Sequence, residues 1–188
     1  MEPEKPSQVV LVTPQGEPRG TLLKKDAHTP HTPLHLGFSC HVVDGGGNVL
    51  VTRRALSKKT WPGVWTNSFC GHPGPDEPWE DAVRRHGRLE LGLDIADVSA
   101  ALPDFRYRAT DASGIVENEI CPVFTVTVDH LPQPNPEEVM ETAWVAPQQL
   151  RDAVEAAPWA FSPWMVMQIP QMPLYGERSQ PRAEDEVL

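Results

Sequence analysis

Glu117 and Glu119 lie two positions apart in the run GIVENEICPVF, and a strand's period of two brings both carboxylates to one sheet face. Like charges held side by side repel, and a divalent cation relieves that repulsion; a solvated strand face relieves it too, so the spacing leaves both open. Cys70 and His72 flank Gly71 and share a face if their segment is extended, while the glycine permits close approach of a ligand or a second backbone. With His28 and His35, these residues offer a His/Glu donor mixture suited to Mn²⁺, Mg²⁺, Fe²⁺ or Zn²⁺. Surface histidines and a small core cysteine fit the same pattern. Farther along, Trp79, Val83, His86 and Glu90 form one helical stripe, which puts a carboxylate where apolar side chains point. Glu90 therefore lies at the solvent-facing edge of the stripe or meets a cation. Arg53, Arg54, Lys58 and Lys59 make a basic cluster of phosphate size. Trp164, in SPW, is either core or a ring offered to a cation.

These residues need elements to hold them. Apolar, β-prone runs at 34–43 and 49–53 are separated by DGGGN, which predicts a β-hairpin. The loop SKKTWPGVWTN follows, then an extended piece at 68–72. A helix is expected over 78–91, with Pro78 at its first position and Gly92 ending it. The stretch 116–128 is strand-like, with Pro122 marking a bulge or an edge. Helices are expected to start at Pro147 and at Ser162-Pro163. Strands alternating with helices indicate an α/β fold in which helices enclose a mixed sheet.

The length of 188 residues and 39% hydrophobic content favour one core. The expected division is a flexible N-terminus at 1–8, a single domain at 9–172, and a flexible acidic tail at 173–188. No run approaches the roughly 20 apolar residues of a membrane helix, and no signal peptide precedes the body, so no membrane and a cytoplasmic location are expected. Three cysteines without a C-x-x-C pair give neither a disulfide framework nor a zinc ribbon. A formal charge of −10 argues against a nucleic-acid partner, so a phosphate-bearing ligand must be gripped by a local basic cluster.

Taken together, the strings HTPLHLGFS, VTRRALSKKTWPGVWTNSFCGHP, LELG, DFRYRATDASGIVENEICPVF and PWAFSPWMVMQ resemble the type I isopentenyl diphosphate isomerases, from about Thr21 to Gln168. That family is part of the Nudix superfamily, so the resemblance implies an α/β/α sandwich around a mixed sheet. The superfamily's G-x5-E-x7-R-E-U-x-E-E-x-G-U box is framed here by Gly71, Glu77, Arg85, Glu90, Gly92 and Leu93. His86, Gly87 and Leu89 depart from it, and the isomerases commonly carry arginine at the position of His86. Gly87 is also an unusual residue inside a helix, costing roughly 1 kcal/mol against alanine.

Carried over by position, the resemblance implies a first metal site of His28, His35, His72, Glu117 and Glu119, holding Mn²⁺, Mg²⁺ or Zn²⁺. A Mg²⁺ arriving with the substrate diphosphate falls to Glu90 and the carbonyl of Cys70. Arg54 and Lys58, with Lys24 and Arg85 as helpers, are expected to grip the diphosphate. Cys70 and Glu119 are the expected acid/base pair, Tyr107 is expected to hydrogen-bond near the glutamate, and Trp164 to face a tertiary carbocation. Cationic neighbours are expected to favour the Cys70 thiolate. The implied reaction is isomerisation of isopentenyl to dimethylallyl diphosphate, by a monomer or weak homodimer. The alternative is a Nudix-type diphosphohydrolase, which needs the acidic box that this chain has largely lost.

Overall fold

The structure is a computed structural model that describes residues 8–176. Its elements run β1 (Gln8–Val12), β2 (Pro18–Leu23), α1 (Lys24–Ala27), β3 (His35–Leu36), β4 (Phe38–Asp44), β5 (Val49–Arg54), β6 (Trp65–Thr66) and β7 (Phe69–Gly71). Then come α2 (Trp79–Leu91), β8 (Ser99–Leu102), β9 (Arg106–Thr110), β10 (Val116–Ile120), β11 (Val123–Val128), β12 (Val139–Val145), α3 (Pro147–Ala156) and α4 (Pro163–Gln168). The strands make two mixed sheets where one was expected, a first in the order β2-β1-β3-β10-β9 and a second in the order β12-β5-β4-β11-β8.

The two sheets are joined by two strand paths that break at the same level. β3 pairs parallel with β10, and β4 pairs parallel with β11. Between them, Gly37 donates to the carbonyl of Ile120 (3.0 Å) and Ser39 to that of Pro122 (3.1 Å). Pro122 has no N–H to continue a ladder, so the expected single strand over 116–128 becomes β10 and β11 in different sheets. Alternation then sorts the side chains of the second sheet. Phe38, Cys40, Val42 and Leu50 face α2, meeting Ala82, Val83 and Leu91. Val49 and Val51 face the other way, toward Leu150 and Val154 of α3 and Met165 of α4.

The expected hairpin forms, with Asp44 Oδ1 accepting from the N–H groups of Gly46 and Asn48 at 2.8 Å each. Its strands pair only at Val43↔Val49 and then splay apart. β6 pairs with β5 and β7 with β4, so residues 65–71 enter the gap. Ser68 fills its apex, donating to the carbonyl of Leu50 and accepting from the N–H of Val42. α2 starts one residue later than expected, with Pro78 as its N-cap, and ends at Gly92 in the left-handed region at φ 62°. At Gly87 a Cβ would lie 2.5 Å from Ile95, which explains glycine inside this helix.

The packed region continues beyond Met172, where the tail was expected to begin. Residues Pro173–Tyr175 form a 3-10 turn, and Tyr175 is buried against His41. Gln8, placed in the flexible N-terminus by the sequence, begins β1, and residues 1–7 and 177–188 lie outside the described residues. Among the described residues no helix is long and apolar enough to cross a membrane.

Candidate active site and metal centre

β3 supplies His35 and β10 supplies Glu119, directly opposite one another in register. β7 ends beside His72, and the loop after α1 brings His28. Ligand atoms of His28, His35, His72 and Glu119 all lie within 4.8 Å of one another. Glu117 stands outside that closest group, its Oε2 2.9 Å from His28 Nε2 and its Oε1 accepting from the hydroxyl of Thr60 at 2.7 Å. His35 Nδ1 is 2.9 Å from the carbonyl of Pro33 and so carries the proton, which turns the Nε2 lone pair inward. His28 Nε2, His35 Nε2, His72 Nδ1 and Glu117 Oε2 are buried without hydrogen-bond partners. Buried polar atoms left unmade are costly, and three imidazole nitrogens beside two carboxylates are a donor set that a divalent cation satisfies. Burial pushes the His72 imidazole down to about 4, keeping it neutral as a ligand must be. Burial opposes ionisation of Glu119, but the neighbouring His35 and His72 imidazoles outweigh it and hold the carboxyl well below its usual range.

Gly37 makes the room for this carboxylate, because a Cβ there would lie 2.3 Å from Glu119 Oε2. The sequence reading missed Gly37 and Thr60. A glycine wedged between a ligand histidine and the start of a long apolar strand was the one available signal.

Cys70 lies opposite Ser39 in the β4–β7 pairing and is half-buried at the wall of a pocket of about 130 Å³. His72, Glu117, Glu119, Tyr107 and Trp164 also line it. Burial pushes the Cys70 thiol up to about 11, with hydrogen bonds to Ser39 and Asn67 acting the other way. A neutral hydrogen-bonded chain stands behind the sulfur. Tyr175 donates to His41 Nδ1, His41 Nε2 donates to Gln168 Oε1 (3.1 Å), and Gln168 Nε2 donates to Ser39 Oγ (2.9 Å). The Ser39 proton is thereby left for sulfur, with Cys70 and Cys121 each at 3.5 Å. Tyr107 faces Glu119 across the β9–β10 pairing, yet its hydroxyl makes no hydrogen bond to it among the described residues. Opposed side chains run side by side, and the longer phenol reaches past the carboxylate toward Trp164, with ring centroids 5.7 Å apart. Trp164 is buried, with the guanidinium carbon of Arg54 5.3 Å from its ring centroid.

The basic residues divide. Lys24, Arg54, Lys58 and Lys59 line the pocket. Arg54 donates to the carbonyls of Thr60 (2.8 Å) and Trp61 (3.1 Å), and Lys58 contacts Glu138. Burial lowers the Lys58 ammonium to about 8, and the charge of Glu90 acts in the opposite sense. Arg53 is turned away onto Gly63 and Glu141. Arg85, an expected helper in substrate binding, is absent from the pocket wall. It forms a two-pronged pair with Glu77 at 2.8 and 2.7 Å and donates to the carbonyl of His72 at 3.0 Å, because the box positions of these two residues face each other. Its part is to brace the end of β7.

Glu90 meets His86, one helical turn earlier, at 2.9 Å. Burial opposes its ionisation, yet the His86 hydrogen bond and the charges of Lys58 and Lys24 keep its carboxyl below the ordinary range. Its partner is thus on its own helix, and the pocket wall does not include it. His86 fits between the ring of Phe38 and Gly71, where a Cβ would lie 2.3 Å from the imidazole. Leu89, at another box position, is 55% exposed and holds nothing.

The NUDIX domain family model matches residues 33–165. Fold and family model together therefore define a Nudix-domain protein, with a His/Glu cluster compatible with a divalent cation. The structure of DR0079 from Deinococcus radiodurans superposes with a TM-score of 0.68 at 22% identity, covering 87% of this chain and 97% of that one, a likeness of fold. The isopentenyl-diphosphate Delta-isomerase of Kocuria rhizophila is 60% identical over 164 residues, 87% of this chain and 91% of that one. The protein of the same name from Agromyces mediolanus is 57% identical over 180 residues, 96% and 87% of the two chains. The chain belongs to this isopentenyl-diphosphate Delta-isomerase family.

Proposed function

We propose that the chain interconverts isopentenyl and dimethylallyl diphosphate, with Cys70 and Glu119 as the proton-transferring pair. The observation that carries this reading is a thiol and a histidine-flanked carboxylate on the wall of one pocket, beside a buried indole and four basic side chains. In one direction a proton is added to the terminal alkene carbon, the cation forms at the branched carbon, and a proton leaves the neighbouring methylene. The reverse direction exchanges the two roles, and no net proton is consumed. Such a cation is captured by any water within reach, so the pocket must be dry. The Trp164 face attracts positive charge without offering a bond, worth on the order of 2 kcal/mol when desolvated.

His28, His35, His72, Glu117 and Glu119 would hold Mn²⁺, Mg²⁺ or Zn²⁺, and Glu90 with the Cys70 carbonyl the Mg²⁺ that accompanies the diphosphate. When bound, these ions supply charge compensation for the diphosphate and fix the acidity of Glu119. Lys24, Arg54 and Lys58 hold the diphosphate, and Tyr107 orders the space between Glu119 and Trp164. Action in the cytoplasm, as a monomer or weak homodimer without nucleic-acid or membrane partners, completes the proposal.

The test is incubation of purified protein with isopentenyl diphosphate and Mg²⁺ in D₂O. Dimethylallyl diphosphate carrying deuterium is expected. Phosphate release without isomerisation would overturn the proposal in favour of a diphosphohydrolase, a reading that the loss of carboxylates at His86 and Leu89 disfavours.

A further inference from the structure

We infer that Asn67 is a positioning residue that sets the Cys70 thiol and the Trp164 ring against each other through one shared side-chain oxygen. The inference rests on the isomerase reading for what thiol and ring do, although the geometry stands without it. Asn67 is fully buried in the link between β6 and β7. Its Nδ2 donates to the carbonyls of Cys40 (3.0 Å) and Phe69 (2.8 Å). Turning the amide over would set its oxygen against two carbonyl oxygens, so those two bonds fix which way it faces.

The oxygen is thereby aimed at the pocket wall. Trp164 Nε1 donates to it at 2.9 Å, the Thr66 hydroxyl at 2.9 Å, and the Cys70 thiol at 3.4 Å. Three donors meet an atom with two lone pairs, so the indole and the thiol share an acceptor and each feels the other. The amide is anchored to β4 and β7, whereas Trp164 rides on α4. Asn67 is thus the point at which the helix carrying the ring is tied to the strand carrying the thiol. Ser39 approaches the same sulfur at 3.5 Å, so the thiol is held by two groups. A ring stabilises a cation only where the cation forms, and the cation forms where the proton is delivered. Misplacement by about 1 Å costs on the order of 100-fold in rate.

The shared oxygen is read by the indole N–H resonance of Trp164 in ¹⁵N-labelled protein, assigned by its disappearance in Trp164→Phe. Cys70→Ala should move that resonance downfield, because the indole then meets less competition, while the indole of Trp79 on the other side of the sheet stays in place. An unmoved Trp164 resonance overturns the shared acceptor, and this measurement needs neither turnover nor a change at Asn67. In steady-state assays with isopentenyl diphosphate, Asn67→Leu should lower kcat about 100-fold with KM within about threefold and metal content unchanged. In Asn67→Asp the oxygen is kept, and the buried carboxyl, held protonated by burial, donates through its O–H to one of the two carbonyls in place of the amide, so this variant should recover at least about tenfold of that loss. Equal losses in both variants, or KM rising in step with kcat, would make Asn67 merely structural and overturn its positioning role. If Asn67→Leu does not fold, the resonance decides. A wild-type protein without isomerase activity would sink the functional reading and leave the resonance test intact.

Discussion

At the scale of single residues, what decides the site is as much where atoms are missing as where ligands stand. A methyl group on Gly37 would lie 2.3 Å from a carboxylate oxygen of Glu119, at a strand junction with little slack. Gly37→Ala is therefore expected to displace Glu119, reducing bound metal well below one ion per chain and turnover by at least about 100-fold. Metal analysis after dialysis, beside a circular dichroism melt, checks this; full metal content would show that the carboxylate has other room. The candidate ligands were named in the sequence through a resemblance to a family, and the structure brings His28, His35, His72 and Glu119 within 4.8 Å of one another. Arg85 and Tyr107 were assigned by type, and the structure gives each a different hydrogen-bonding state, Arg85 locked to Glu77 and Tyr107 free of Glu119. Position in a motif says which face a side chain starts from and not which neighbour reaches it first. Gly37, Thr60 and Asn67 escaped notice because their contribution depends on partners far away in the chain, Glu119, Glu117 and Trp164.

At the scale of elements, α2, α3, α4 and the hairpin were readable because each carries its own local signal, a proline start, a glycine stop or a glycine-rich turn. β1, β2, β8, β9 and β12 were not assigned. β2 is exposed or half-buried throughout, so it shows no alternation, and β12 alternates weakly for the same reason. Two-residue strands such as β3 and β6 exist only through their pairing partners. The boundary at Met172 was set too early because the following residues, PLYG, carry no helical period, yet Tyr175 is 1% exposed and completes the core behind α4. Tyr175→Phe removes the donor to His41 and should cost about 1–3 kcal/mol. Ending the chain after Met172 should cost more, roughly 3–5 kcal/mol, since a buried ring is lost as well. Thermal melts read both; equal stability of the truncated and full chains would show that the turn at Pro173–Tyr175 contributes nothing.

At the scale of the whole molecule, two titrations are open to direct measurement. Burial lowers His41 to about 4 in the folded chain, against an ordinary value near 6.5, so the folded state binds fewer protons than the unfolded between those values. Stability is then full above about pH 6.5 and falls as the pH drops toward 4, by about 3 kcal/mol for this group. A melt series from pH 7 to pH 4.5 should fall more steeply for the wild type than for His41→Gln, and identical slopes would remove His41 from the account. The second is titration with a chelator. Stripping the ion from the His/Glu centre should lower the melting temperature of the wild type by the equivalent of about 3 kcal/mol at metal concentrations a hundredfold above Kd. His72→Asn should show little of that shift, and an undiminished shift would place the ion elsewhere. The junction at Gly37 and Pro122 carries one further consequence. Glu119 belongs to the first sheet and Cys70 to the second, so the gap between the two proposed proton-transferring groups is a property of neither sheet. A small slip of one sheet over the other would stretch the gap between them and, because His72 follows β7, would draw that imidazole away from Glu119 as well. Mild pressure or low denaturant should accordingly silence turnover first, well before either half of the molecule has begun to come apart.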